Sequence, residues 1–367
     1  VEWIYSQDEA NGGHRLWNFG FHFGDWLAQD GVTPQSMKGG TDDFFVASMY
    51  YYASTVKTAR AARVLGKTED AETLEGRAAE IRDAILREYF SPNGRLCVDT
   101  QTAYLLCLNF GVYVEKERVI EGLKTRFRKD SFKIKGGFVG ATMMCRVLAE
   151  NGLPELAADV TRQALLMREK TLDENTGLLR HAWDGRRAAP WADPETGRAP
   201  EFWGRSLGWV PVAILNDLDF LPQDTPGRAE MAEMAVSLLK ALCRFQSPEG
   251  RWYQVVDKGD QPGNWLENSC SCLYVAGLCK AVRKGILPAS YLEQAKRGYE
   301  GVIRSLQWEG ENLLIGNVCV GTGVGEGSAA DFFLRPQEQS NTTQRRQTKI
   351  PKYLVFLMAF FLSVIKI

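Results

Sequence analysis

Between Asp42 and Leu306 the chain repeats one pattern: a helix-length apolar segment, a turn built on glycine or proline, a second such segment, and another turn. A one-sided apolar stripe must bury itself against a neighbour, and after a short turn the nearest neighbour is the next segment. The first pair runs from the capping residues Asp42 and Asp43 to Leu65, stops at Gly66, and resumes from Glu69 to Phe90 before the turn Ser91-Pro92-Asn93-Gly94. Asp99-Thr100-Gln101-Thr102 opens a helix to Phe110 with Lys116 to Phe127 as partner, and Phe138 to Glu150 pairs with Pro154 to Lys170. After a loop-rich interval, Phe202 to Leu218 pairs with Pro226 to Phe245, and Trp265 to Arg283 with Pro288 to Leu306. In the helix after Pro226, Met231, Met234, Ala235, Leu238, Leu239 and Leu242 keep the i, i+3, i+4, i+7 spacing of a buried stripe.

Successive hairpins without an exact sequence period can stack as an open solenoid or close into a toroid. Aromatic and acidic loops alternate here with plain turns, which favours an all-α (α/α)6 toroid whose richer loops gather over a funnel. Residues 1 to 40 read as loop, and Arg95 to Val98, Trp252 to Val256 and Leu313 to Val320 are short strand signals. The expected organisation is a single barrel over residues 1–340, with the first forty residues and the tail left to supply a sixth hairpin. Residues 341–367 form an atypical tail whose apolar run, Tyr353 to Ile365, reads as a closing helix or as non-native sequence. That run falls short of the ~20 residues a membrane span needs.

A net charge of −1 and a pI near 6.4 give no electrostatic case for nucleic acid or an anionic membrane as partner. Eight cysteines lie scattered in apolar helical patterns without a Cys-x-x-Cys pair, and three histidines are dispersed, so no disulfide framework, metal or cofactor is expected. Gly321-x-Gly323-x-Gly325 lacks the strand and helix that flank a phosphate-cradling loop and reads as a turn. Small buried thiols suit a reducing compartment, and no basic and apolar leader follows Val1, so a cytoplasmic location is expected. A valine in place of an initiator methionine suggests a trimmed chain.

Pro200-Glu201-Phe202-Trp203-Gly204-Arg205-Ser206-Leu207-Gly208-Trp209 is the densest chemical stretch, with two indoles, a guanidinium and a carboxylate where loop gives way to helix. Indole faces are platforms for pyranose rings, and a guanidinium fork is a receptor for carboxylates, so a carbohydrate site is the leading reading. Core aromatics at a helix start are the plainer alternative.

From about Lys170 to Arg335 the chain resembles the unsaturated rhamnogalacturonyl hydrolases, glycoside hydrolase family 105, related to the unsaturated glucuronyl hydrolases of family 88. The matching stretches are Thr176-Gly177-Leu178-Leu179-Arg180-His181-Ala182-Trp183-Asp184, Trp191-Ala192-Asp193, the segment through Trp209, Arg251 to Asp257, Asn264 to Ser271, and Cys319 to Gly325. From about 15 to 165 it is similar instead to the six-hairpin domain of the α-L-rhamnosidases, glycoside hydrolase family 78, through Phe23-Gly24-Asp25-Trp26-Leu27-Ala28, Tyr50 to Ala53, Asp99 to Tyr104 and Gly137 to Gly140. A seam is expected near 164–170. Both families use the (α/α)6 barrel.

The resemblance implies a small pectic oligosaccharide as ligand, with Arg205 facing a uronate carboxylate, Trp203 and Trp209 stacking on sugar, and His181 bonding near the reacting ring. Trp183 and Trp26 are further candidate binding residues, while Asp184 and Asp193 read as loop caps. A proton donor needs a carboxyl whose pKa is raised by burial or a like charge. The acid of family 105 lies on a segment resembling Trp-x-Asp-Gly, and Lys133 to Phe138 here holds no carboxylate; the acids of the rhamnosidases lie outside the resembling stretch. Asp99 and Glu201 are the catalytic candidates, with Glu267 and Asp25 behind them, and each of the first two can instead cap a helix. Three functions stay open: unsaturated rhamnogalacturonyl hydrolase, α-L-rhamnosidase, and a hybrid that binds sugar without the catalytic acid.

Overall fold

The computed structural model describes residues 1–31, 33, 36–309, 312–319 and 348–351. The chain divides into two compact units, Val1–Gln163 with Phe220–Thr225, and Ala164–Asp219 with Pro226–Ile367.

In the first unit, α1 (Glu2–Ala10) occupies a stretch expected to be loop. Its tie to the unit explains the helix: Asp8 is buried and takes Arg15 at 3.1 Å and the Tyr51 hydroxyl at 3.3 Å. The helices α2 (Asp43–Val64) and α3 (Thr68–Tyr89) form the first hairpin. Asp42 caps α2 by accepting from the Phe45 amide at 2.7 Å, and Gly66 supplies the left-handed turn at φ 71°. Phe45 and Met49 from α2, and Ile81 and Ile85 from α3, are wholly buried, each burial contributing roughly 1.5–3 kcal/mol. Thr100 caps α4 (Gln101–Phe110), which packs on α5 (Lys116–Lys129), α6 (Gly140–Glu150) and α2.

α7 (Pro154–Thr171) carries the chain into the second unit. There α8 (Gly204–Asp217) packs on α9 (Arg228–Cys243) and α10 (Asn268–Arg283), and α10 on α11 (Leu292–Arg304). The Met231, Met234, Ala235, Leu238, Leu239 and Leu242 stripe is buried throughout. Trp252 anchors this core: its indole donates to the Leu242 carbonyl at 2.7 Å, and its ring meets Tyr274 edge-on at 5.1 Å. Pro211 lies inside α8, where it lacks the amide that would bond the Leu207 carbonyl. The Tyr274 hydroxyl instead fastens the start of that helix, donating to the Gly204 carbonyl at 2.7 Å.

The strands are shorter than expected. The stretch Arg95 to Val98 makes only an isolated bridge, between Phe90 and Leu96. β1 (Trp252–Tyr253) pairs antiparallel with β2 (Leu266–Glu267), and a turn closed by the Lys258 amide on the Val255 carbonyl at 3.3 Å ends the extended run. β3 (Gln307–Glu309), β4 (Asn312–Ile315) and β5 (Thr348–Pro351) form one antiparallel sheet. The apolar run after Tyr353 and the glycines from Gly321 to Gly325 lie outside the described residues. All eight cysteines are free thiols, but Cys97 and Cys272 are exposed rather than buried as expected. No helix among the described residues is long and apolar enough to cross a membrane.

Candidate functional site

The second unit builds its site on the extended residues before α8. Trp203 bridges Val255, flanked by the Val256 amide on the Phe202 carbonyl at 3.1 Å and the Gly204 amide on the Gln254 carbonyl at 2.9 Å. Arg180 braces the same run by stacking its guanidinium on Phe202 at 4.0 Å while pairing with Asp173 at 2.6 Å. The His181 amide donates to the Glu201 carbonyl at 3.0 Å, which brings the imidazole edge-on to Trp203 with centroids 5.0 Å apart. His181 Nδ1 lies 3.5 Å from the Ser206 hydroxyl, and burial lowers its pKa to about 4. At neutral pH this ring is an uncharged hydrogen-bonding group.

Arg205, on the first turn of α8, sits with its guanidinium 5.6 Å from the Trp203 ring. It is less open than a free fork. Nε donates to the Ser269 hydroxyl at 2.8 Å, one terminal nitrogen donates to the Cys319 carbonyl, and Glu267 lies 3.5 Å away. Trp209 follows one turn later and is half exposed. His181, Trp203 and Arg205 are therefore brought together, with Trp209 on the same helix as the arginine.

Glu201 does not cap α8, because the helix begins at Gly204 and Glu201 belongs to the paired extended run. Its buried carboxylate is engaged instead by Lys258, 2.7 Å away. Asp257, beside that lysine, has a raised pKa: burial is the largest cause, and the Glu201 charge adds to it against Lys258 and Arg180. In the sequence Asp257 is only the last residue of the matching stretch Arg251 to Asp257, just past the expected strand, and it is not among the candidate acids. The signal available was an acid next to a lysine just after a strand. Trp183 has an exposed ring and donates to the Thr196 carbonyl at 3.1 Å, while Asp184 and Asp193 collect the amides of their own loops, as caps do.

Asp99 and Trp26 belong to the first unit. Partial burial pushes the Asp99 pKa up, but the hydrogen bonds from Lys129 at 2.8 Å and Tyr104 at 3.2 Å, with the charges of Lys129 and Arg126, outweigh it, and the net shift is downward. That is the reverse of what a proton donor requires, and the helix it was to cap is capped by Thr100. The Trp26 ring meets Phe23 edge-on at 5.6 Å. Asp25 is wholly buried and accepts from the Thr102 hydroxyl and from the amides of Gly137 at 2.9 Å, Val139 at 2.8 Å and Gly140 at 3.3 Å. A Cβ on Gly137 would collide with the Trp26 carbonyl, and one on Gly140 with Thr102, so the loop can wrap the carboxylate only with glycine at both positions. The segment in which family 105 was expected to carry its acid is thus a cradle for a structural one.

The fold is that of the six-hairpin glycosidases. A family 105 glycoside hydrolase of C. acetobutylicum is 25% identical and superimposes with a TM-score of 0.56 over 78% of this chain and 87% of that one. A possible member of that family from Salmonella enterica, 17% identical, has the same fold, with a TM-score of 0.53 over 91% and 88%. The chain belongs to Glycosyl Hydrolase Family 88, whose model matches residues 136–353. Residues 1–166 match the bacterial α-L-rhamnosidase six-hairpin glycosidase domain. Among curated relatives, the 24.9 kDa protein in the picA locus of Rhizobium radiobacter is 36% identical over 136 residues, 37% of this chain and 58% of that one. An α-L-rhamnosidase of Formosa agariphila is 31% identical over 134 residues, 35% of this chain and 14% of the enzyme. The chain thus spans little more than half of the first relative's length, and far less of the second's.

Proposed function

We propose that this chain is a glycoside hydrolase of the unsaturated-uronyl type, acting on a pectic disaccharide in which an unsaturated galacturonate is joined to rhamnose. The observation that carries the reading is the meeting of three groups: the Arg205 cation, the Trp203 face beside it, and the uncharged His181 ring against the same indole. A cation for a carboxylate, an apolar face for a ring and a neutral hydrogen-bonding group suit an acidic sugar better than a neutral one. The chemistry in this reading is protonation of the enol ether at C4, then addition of water at C5 with loss of its proton to the donor's carboxylate. Collapse of the resulting hemiketal opens the ring and releases rhamnose from C1. Among the described carboxyls of this unit, Asp257 is the one whose pKa is raised, and we assign it the donor role.

The test is loss of the enol ether's ultraviolet absorbance when the protein is added to the unsaturated disaccharide. Turnover should fall on the alkaline side as Asp257 gives up its proton, and Asp257→Asn should lower it by about 10²-fold or more and remove that limb. A variant as active as the wild type would sink the donor role. The match of residues 1–166 to the rhamnosidase domain supports a second reading, α-L-rhamnosidase, which release of a chromophore from an aryl rhamnoside would favour. Silence in both assays, with galacturonate still raising Tm, would leave a sugar-binding hybrid.

A further inference from the structure

We infer that Glu267 is the positioning residue for Arg205, fixing the guanidinium's direction and thereby the site's preference for a sugar that carries a carboxylate. The inference rests on the reading that Arg205 meets a uronate.

Four groups close a ring. Arg205 Nε donates to the Ser269 hydroxyl at 2.8 Å, and that hydroxyl donates to Glu267, 2.8 Å and 3.0 Å from its two oxygens. The Cys319 amide donates to Glu267 Oε1 at 3.0 Å, and the Cys319 carbonyl accepts from a terminal nitrogen of Arg205. Glu267 also caps α10 by accepting from the Cys270 amide at 2.6 Å. Its side chain has no exposed surface. The amides of Cys270 and Cys319 and the Nε of Arg205 can only donate, so the polarity of the ring is set: the serine receives the guanidinium and gives its proton to Glu267. Without that acceptor the hydroxyl could turn, and Arg205 would lose a defined partner on its Nε edge.

The ring also decides which part of Arg205 a ligand can use. With Nε and one terminal nitrogen engaged, the other terminal nitrogen is the one that makes no hydrogen bond among the described residues. A sugar carboxylate must approach that nitrogen, in the orientation the ring imposes. Pre-oriented donors bind without the cost of ordering a long flexible side chain.

The experiment compares galacturonate with galactose, which differ in carrying a carboxylate or a hydroxymethyl group, by calorimetric titration of the full chain. Arg205→Ala, Glu267→Gln and Ser269→Ala are measured beside the wild type. Glu267→Gln should reduce the preference for galacturonate by about 10-fold, the worth of one charge-assisted bond, and leave galactose binding unchanged. Ser269→Ala, which keeps the helix cap, should reduce it by about 3-fold and decides the matter if Glu267→Gln does not fold. A merely structural role would weaken both sugars alike. If Arg205→Ala keeps the preference, the uronate reading fails and this inference with it. If Arg205→Ala abolishes the preference while Glu267→Gln or Ser269→Ala retains it in full, the arginine reading stands and the role of Glu267 is overturned.

Discussion

Asp25 in the first unit and Glu267 in the second are both wholly buried carboxylates surrounded by donors, yet their donor sets differ in kind. Asp25 takes the Thr102 hydroxyl of α4 and three backbone amides, so it is held by the loop it organises and by one helix beside it. Glu267 takes one hydroxyl and two amides, and its remaining neighbour is the cation beside Trp203. Backbone donors make a buried acid into scaffold, because no amide in the set can turn toward a ligand. A side-chain cation in the set makes the same kind of acid a control on binding. The surface acid Asp99 fits neither pattern, since it is exposed and its partners are side chains, two cations and a phenol.

The sharpest way to break this comparison is Asp25→Ala. Leaving three amides, two of them buried, and a hydroxyl without their acceptor should cost roughly 3–5 kcal/mol, read by urea denaturation, and a cost below about 1 kcal/mol would remove Asp25 from the scaffold. A smaller effect belongs to His181. An unfolded imidazole titrates near 6.5 while burial holds the folded one at about 4, so as pH falls the unfolded chain takes up the proton first. Stability should therefore decline between those two values, by roughly 3 kcal/mol in total, and level off below. His181→Asn should flatten that part of the profile, and an unchanged slope would show that other groups produce it. The smallest effect is expected from Asp99→Asn. Its partly exposed ion pairs contribute about 1 kcal/mol or less, and turnover of the unsaturated disaccharide should be unaltered; a large loss of activity would return Asp99 to the catalytic set.

The hairpins were legible because each is punctuated locally: the Asp42 cap, the Gly66 stop and the Met231 to Leu242 stripe act within a few residues of one another. Helix starts were less so. α8 begins at Gly204 rather than Phe202, and α10 at Asn268 rather than Trp265, because in both cases the residues just before are drawn into pairing with the run around Trp252 to Val256. Helical periodicity cannot announce a distant strand partner. The site divides in the same way. Trp203 and Arg205 stood out as neighbours in one motif, whereas Ser269 and Cys319 reach Arg205 across 64 and 114 residues. Asp257 was hidden for another reason: its raised pKa comes from burial and from Glu201, and neither is visible in the order of residues.

Pro211 gives the arginine's turn a separate stability. The proline leaves the Leu207 carbonyl without its helical partner, so the first turn of α8 is tied to the rest of the helix by one bond fewer than usual. What keeps Gly204 and Arg205 in place comes from other elements: the Tyr274 hydroxyl, the Gln254 carbonyl, Ser269 and Cys319. Opening of that turn is thus governed by tertiary bonds and can occur while α8 beyond Pro211 stays wound. In hydrogen exchange the Gly204 amide should report the integrity of the site, and the amides after Pro211 that of the helix.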